Sequence, residues 1–99
     1  MPSTPPSEFD AVLHQPIRTG IVAFLTARGE ATFTELKNQL DITDGNLDSH
    51  IKKLLASGYL LKEKKQGATK RLQTVYYLSD SGHEAFEKYL TTLKQLLSL

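Results

Sequence analysis

The period of the apolar residues changes at Gly58 and changes back at Ser79. Before Gly58 the apolar positions recur every three or four residues, the spacing that lines one side of a helix. Between Tyr59 and Leu78 the chain has instead two short β-prone runs, "YLLKEK" and "LQTVYYL", on either side of the polar stretch "KQGATKR" with its Gly67. From Ser79 to the end the helical spacing returns. A chain of 99 residues has room for one domain with one core. The expected fold class is therefore mainly α with a small β-hairpin, and there is no internal repeat.

The helical part divides at its caps. "SEFDAVLHQPIRTGIVAFLTARGE" reads as two pieces. Ser7 is suited to cap a short first piece carrying Phe9, Val12 and Leu13. Pro16 suits the first turn of the second, where a missing N–H costs nothing. There Ile17, Ile21, Phe24, Leu25 and Arg28 make the stripe, and Gly29 ends it by accepting a left-handed conformation. Thr32 and Glu35 have the spacing of a capping box, ahead of Phe33, Leu36 and Leu40. After a four-residue turn, Thr43 caps the next helix and Asp44 meets the positive end of its dipole. Leu47, Ile51, Leu54 and Leu55 then face inward. In the second strand Tyr76 and Leu78 share a face, and that face is expected to point inward. Ser79 caps the last helix, whose apolar positions are Phe86, Tyr89, Leu90, Leu93, Leu96 and Leu97.

Composition narrows the function classes. Without cysteine there is no disulfide framework and no thiolate metal site, which fits a reducing, cytoplasmic setting. No apolar run approaches the roughly 18 residues needed to cross a bilayer. "MPSTPPSEFD" has none of the basic and apolar regions of a signal peptide, and its prolines and serines imply a disordered tail over residues 1–6. The net charge of +1 hides a strong asymmetry. Residues 62–71 carry Lys62, Lys64, Lys65, Lys70 and Arg71 against Glu63 alone, so the rest of the chain is net acidic. A basic patch confined to one hairpin points to a local anionic partner.

Two short helices joined by a tight turn make a helix-turn-helix, and a hairpin directly after the third helix makes its winged variant. The major groove of DNA admits one α-helix, whose outward side chains reach base edges. A basic hairpin beside it can lie on flanking phosphates or in the minor groove. The segments "HQPIRTGIVAFL", "FTELKNQLDITDGNLDSHIKKLLASGYL" and "TVYYLSDSGHEAFEKYL" resemble the small MarR/ArsR-type winged-helix transcriptional regulators. The likeness runs from about Phe9 to the C-terminus, and "TDGNLDSHIKKL" followed by "GYL" is its most specific part. It implies a homodimeric DNA-binding repressor or activator. Two departures matter: the chain is short of the extra helices that surround a ligand pocket in full-length MarR members, and thiol-based metal sensing of the ArsR kind is impossible without cysteine.

On this reading the DNA-binding unit spans residues 7–79, with a recognition helix over about 44–57 and a wing over about 59–78. Residues 80–99 form a dimerisation helix packed on the same domain. The expected DNA contacts are Asp44, Asn46, Asp48, Ser49, Lys52 and Lys53 on the helix, and Lys62, Lys64, Lys65, Lys70 and Arg71 on the wing. Asn46 and Ser49 can pair with base edges, and the lysines suit phosphates. Asp44 and Asp48 are awkward beside phosphates; each can orient a neighbour or accept from cytosine N4. Arg18 either reaches the DNA backbone or only solvates its helix. His50, on the shoulder of the recognition helix, reads as a packed, hydrogen-bonded residue. The expected dimer interface is Phe9, Leu13, Phe86, Leu90, Leu93, Leu96 and Leu97, since the final stripe is broader than one packing surface needs. The expected partners are double-stranded DNA and a second copy, with no cofactor and no membrane. His83, Glu84 and Glu87 share a helix end but lack further ligands for zinc. No catalytic set is present, so an enzyme is not expected. The rival reading is a protein-interaction module that keeps the fold without reading DNA.

Overall fold

The computed structural model describes residues 9–98. The tail expected over residues 1–6 and the Ser7 cap lie outside the described residues. Four helices and three strands follow one another as α1 (Pro16–Arg28), β1 (Ala31–Thr32), α2 (Phe33–Leu40), α3 (Asp44–Ala56), β2 (Leu60–Gln66), β3 (Leu72–Leu78) and α4 (Asp80–Leu97).

Local chemistry sets the helix ends. Gln15 caps α1 by accepting from the Arg18 N–H at 2.8 Å, and Pro16 occupies the first turn. The Glu35 N–H donates to Thr32 Oγ1, while Glu35 Oε1 accepts from the Thr32 N–H, which completes the capping box. The Thr32 N–H first, and then the Arg28 guanidinium paired with it, hold the Glu35 carboxyl below its usual pKa. Thr43 and Ser79 cap α3 and α4 by accepting from the N–H groups of Asn46 and Gly82. Gly29 takes φ of +92° after α1 and Gly58 takes +81° after α3, a region that costs a side-chain-bearing residue energy.

The segment before α1 departs from expectation. Its described part, residues 9–15, forms turns rather than a helical piece. Asp10, not Ser7, organises the described part, since its Oδ1 accepts from the N–H groups of Val12 and Leu13. This Asx-type arrangement gives the backbone a local alternative to the helix.

The sheet is antiparallel in the order β1-β3-β2. Leu60 pairs with Leu78, Lys62 with Tyr76, and Gln66 with Leu72, while Ala31 and Thr32 pair with Tyr76 and Val75. The hairpin was legible in the sequence; β1 was not. Directly opposed residues share a face, so Leu60, Leu78, Tyr76 and Ala31 turn toward the helices. Tyr76 and Leu78 do face inward. Val75, on the opposite face, is also buried, because β3 is the central strand.

The core lies between the sheet and the helices. Leu13, Ile21, Val22, Leu25, Leu36, Leu47, Ile51, Leu54, Leu60, Leu78, Phe86 and Tyr89 form one buried cluster. This corrects the interface expected from sequence in part. Leu13 is 0% exposed and Phe86 is 7% exposed within the single chain, so both are committed to the protomer's own core and have no surface left for a partner. The tight N-terminal turn swings Leu13 inward, and Phe86 lies on the first half of α4, where that helix rests on the body.

Candidate nucleic-acid interface

α2 and α3 make the helix-turn-helix. The turn is closed at Asp41, which takes the left-handed conformation with φ of +53°. An ion pair of 2.8 Å joins Lys37 Nζ of α2 to Asp44 Oδ1 in the first turn of α3. Buried Leu47, Ile51 and Leu54 fix α3 from below. Asp44, Asn46, Asp48, Ser49, Lys52 and Lys53 are all exposed. The outward face is therefore polar, and the support beneath it is rigid and apolar.

Two edges flank that face. Asp48 and Lys52 lie one turn apart and pair at 3.0 Å. Tyr76 of the hairpin senses this edge: burial, and then the charge of Asp48, raise its hydroxyl pKa. Asn46, His50 and Lys53 follow the i, i+4, i+7 spacing along the other edge. That edge faces α1, where Arg18 Nη1 lies 3.1 Å from His50 Nδ1. Arg18 also donates from Nε to the Val12 carbonyl at 2.6 Å. So Arg18 is a half-buried brace between the N-terminal turn, α1 and α3, a role that neither of its two sequence readings contained. The pairing spans 32 positions, beyond the reach of any local pattern.

Asp44 and Asp48, awkward in the sequence, each hold a lysine. Exposed pairs of this kind add little stability. Their effect here is positional, since each fixes where a cation stands beside the outward face.

On the wing, Lys62, Lys64, Lys65, Lys70 and Arg71 are exposed. Strand alternation puts Lys62 and Lys64 on the face shared with Tyr76, toward the recognition helix. Lys65 projects from the other face and pairs with Glu30 at 2.8 Å, a contact that raises its pKa. Lys70 and Arg71 lie in the tip, which is closed by bonds from the Gly67 N–H to the Arg71 carbonyl and from the Lys70 N–H to the Gly67 carbonyl. Among the described residues, Lys53, Lys62, Lys64, Lys70 and Arg71 take part in no ion pair. All the expected helix and wing residues are thus exposed, with Lys62 and Lys64 on the face shared with Tyr76 and Lys65 on the opposite one. Among the described residues no cluster of three or more His, Asp or Glu is placed to hold a metal ion. No helix there is long and apolar enough to cross a membrane.

Fold and face define a winged-helix protein built around an exposed polar helix and a basic hairpin. Residues 17–97 match the family of winged helix DNA-binding domains, and the chain belongs to that family. An uncharacterized protein of Methanocaldococcus jannaschii is 33% identical over 85 residues, which cover 86% of this chain and 91% of the relative. A solved transcriptional regulator homologue of Pyrococcus horikoshii OT3 is 37% identical, with a TM-score of 0.79 over 88% of this chain and 85% of that one. PadR of Bacillus subtilis, solved in complex with operator DNA, superposes with a TM-score of 0.65 at 19% identity, over 77% of this chain and 47% of that one. At that identity the likeness is one of fold, and it extends beyond the MarR/ArsR type. Family and fold are those of DNA-binding transcriptional regulators and not of enzymes.

Proposed function

We propose that this chain reads sequence on double-stranded DNA as a homodimeric, cytoplasmic regulator of transcription. The observation that carries the reading is the outward face of α3, polar and exposed over a buried apolar support, with the basic wing on its flank. Two such helices related by a two-fold axis would enter successive major grooves about 34 Å apart. Asn46 and Ser49 are the candidates for base edges. Lys52 and Lys53 suit phosphates beside them. Lys62, Lys64, Lys70 and Arg71 suit flanking phosphates or the minor groove, and Lys65 contributes less because Glu30 holds it. The same fold sits on operator DNA in PadR of Bacillus subtilis, which supports this use of the scaffold. The interaction-module reading leans on the two aspartates of the recognition face. Each has a lysine partner within the chain, so neither calls for a protein partner.

The test is selection of duplexes from a random pool by the intact protein, followed by titration of variants on the selected duplex. Asn46→Ala and Ser49→Ala should change which base pairs are preferred, each weakening binding by about 1–3 kcal/mol, and leave the melting temperature alone. Leu47→Ala removes a fully buried side chain and should destabilise the domain by about 2–5 kcal/mol. If both polar variants bind as the wild type does with unchanged preference, the outward face is only solvated and the reading is wrong.

A further inference from the structure

The Arg18–His50 contact determines more than the packing of α3. A guanidinium has only donors. The 3.1 Å contact therefore makes His50 Nδ1 the acceptor, and the neutral ring must carry its proton on Nε2. Among the described residues Nε2 has no hydrogen-bond partner. The same residues contain no buried side-chain nitrogen or oxygen without a partner, so Nε2 reaches the surface. His50 lies on the edge of α3 that carries Asn46 one turn before and Lys53 one turn after.

We propose that His50 contacts DNA, offering its Nε2–H as a single fixed donor to an acceptor in the groove, and that Arg18 is the positioning residue that sets its tautomer and ring orientation. This rests on the reading that α3 lies on DNA. Three observations support it. The ring cannot turn over without replacing the accepting Nδ1 by a Cδ2–H, which loses the Arg18 bond. Arg18 is itself anchored, since its Nε donates to the Val12 carbonyl at 2.6 Å. Burial, and after it the charge of Arg18, hold the imidazole below its usual pKa, so the ring stays neutral and presents one donor rather than a cation. A neutral N–H suits guanine N7 or O6, thymine O4 or a phosphate oxygen alike. The chemistry is the same, and the variants distinguish the sources.

His50→Asn keeps an acceptor at the inner position for Arg18 but has nothing at the place of Nε2. His50→Gln puts an amide N–H close to that place. On a duplex selected from a random pool by the wild-type protein, His50→Asn should bind about tenfold more weakly, whereas His50→Gln should stay within about threefold, with both melting as the wild type does. A weakening spread evenly over all sequences identifies a phosphate as the acceptor. A changed preference at one base pair identifies a base edge. Nitrogen-15 spectra of the free protein should show a ring protonated on Nε2 alone, and Arg18→Met should relax it toward the tautomer mixture of a free imidazole without unfolding the chain. If His50→Asn binds the selected duplex with wild-type affinity and preference, the assignment of His50 is overturned and the DNA reading stands. If the wild-type protein enriches no duplex at all, both fall together.

Discussion

The carbonyl oxygen of Tyr59 stands where a Cβ on Gly82 would have to go, closer than 3.0 Å. The first turn of α4 is thus pressed onto the junction between recognition helix and wing. Polar bonds hold it there. The Ser79 N–H donates to the Tyr59 carbonyl at 3.0 Å, and the Ser79 and Ser81 hydroxyls both donate to the Gly58 carbonyl. A backbone carbonyl cannot swing aside as a side chain can. Gly82→Ala should therefore cost about 1–3 kcal/mol or more, through overpacking. Gly45, in the first turn of α3, is the control. A Cβ there meets nothing within 4 Å, and its backbone is helical. Gly45→Ala should stabilise the fold by about 0.4–1 kcal/mol. Paired thermal melts check both signs, and a Gly82→Ala protein as stable as the wild type would show that this junction is loose.

The wing divides into cations of unequal value. Lys70 and Arg71 have no carboxylate partner among the described residues, while Lys65 is held by Glu30. For phosphate contacts, log K should fall by about 0.9 per phosphate neutralised for each unit of log salt. Lys70→Ala with Arg71→Ala should flatten that slope by about two phosphates per subunit and weaken all sequences alike. Lys65→Ala should change it much less. Binding titrations across a salt series give the slopes directly. A double variant with an unaltered slope would mean that the hairpin tip stands away from the DNA.

The contrast between these cations separates what was legible in the sequence from what was not. Caps at Thr32, Thr43 and Ser79 were legible because each depends on residues within one turn. So was the apolar face of α3, since Leu47, Ile51 and Leu54 repeat with the helical period. β1 was not, because two residues carry no period, and Ala31 and Thr32 become a strand only by pairing with β3. The burial of Val75 follows from the same pairing. Lys65–Glu30 and Arg18–His50 join residues 35 and 32 positions apart, and nothing local marks them. At the N-terminus capping preference favours Ser7, whereas Asp10 can bond the backbone two and three residues on and so outcompetes the short helix.

Tyr59 ties that N-terminal turn to the wing junction, since its hydroxyl donates to Asp10 Oδ2. The hydrogen bond to Asp10, then burial, then the carboxylate's charge push the phenol pKa from 10.0 up to about 12. The folded-state value is raised, so the folded chain favours the protonated phenol. The stabilisation is fully present below the unfolded pKa near 10 and is lost as the pH rises from there toward 12. Urea melts across this range should show wild-type stability falling more steeply than that of Tyr59→Phe. At neutral pH the variant should be less stable by about 1 kcal/mol, as the site is only half-buried. Parallel pH profiles for the two proteins would show that the Tyr59–Asp10 bond does not form in solution.

The second half of α4 finds little support among the described residues. Its buried residues, Gly82, Phe86 and Tyr89, end at the middle of the helix. Beyond them Leu93 is half-buried against the core, while Leu90, Leu96 and Leu97 are 39%, 37% and 75% exposed. A helix end with little tertiary support is marginal in water, and leucines so exposed on one side form a patch more typical of an interface than of a monomer surface. With Leu13 and Phe86 committed to the core, the surface open to a second copy comprises Leu90, Leu96, Leu97, part of Leu93, and Phe9 where it flanks Tyr89. A two-fold axis through this stripe would set two α3 helices on one side of DNA and require a nearly palindromic site. Sedimentation should give the mass of a dimer. Leu96→Asp with Leu97→Asp avoids the half-buried Leu93, so the chain should keep its fold and melt normally as a monomer. Its affinity for the selected duplex should drop on the order of a hundredfold, since each half-site is then held alone. A wild-type protein that sediments as a monomer at micromolar concentrations would sink the dimer while leaving the single winged helix, and its reading face, as they are.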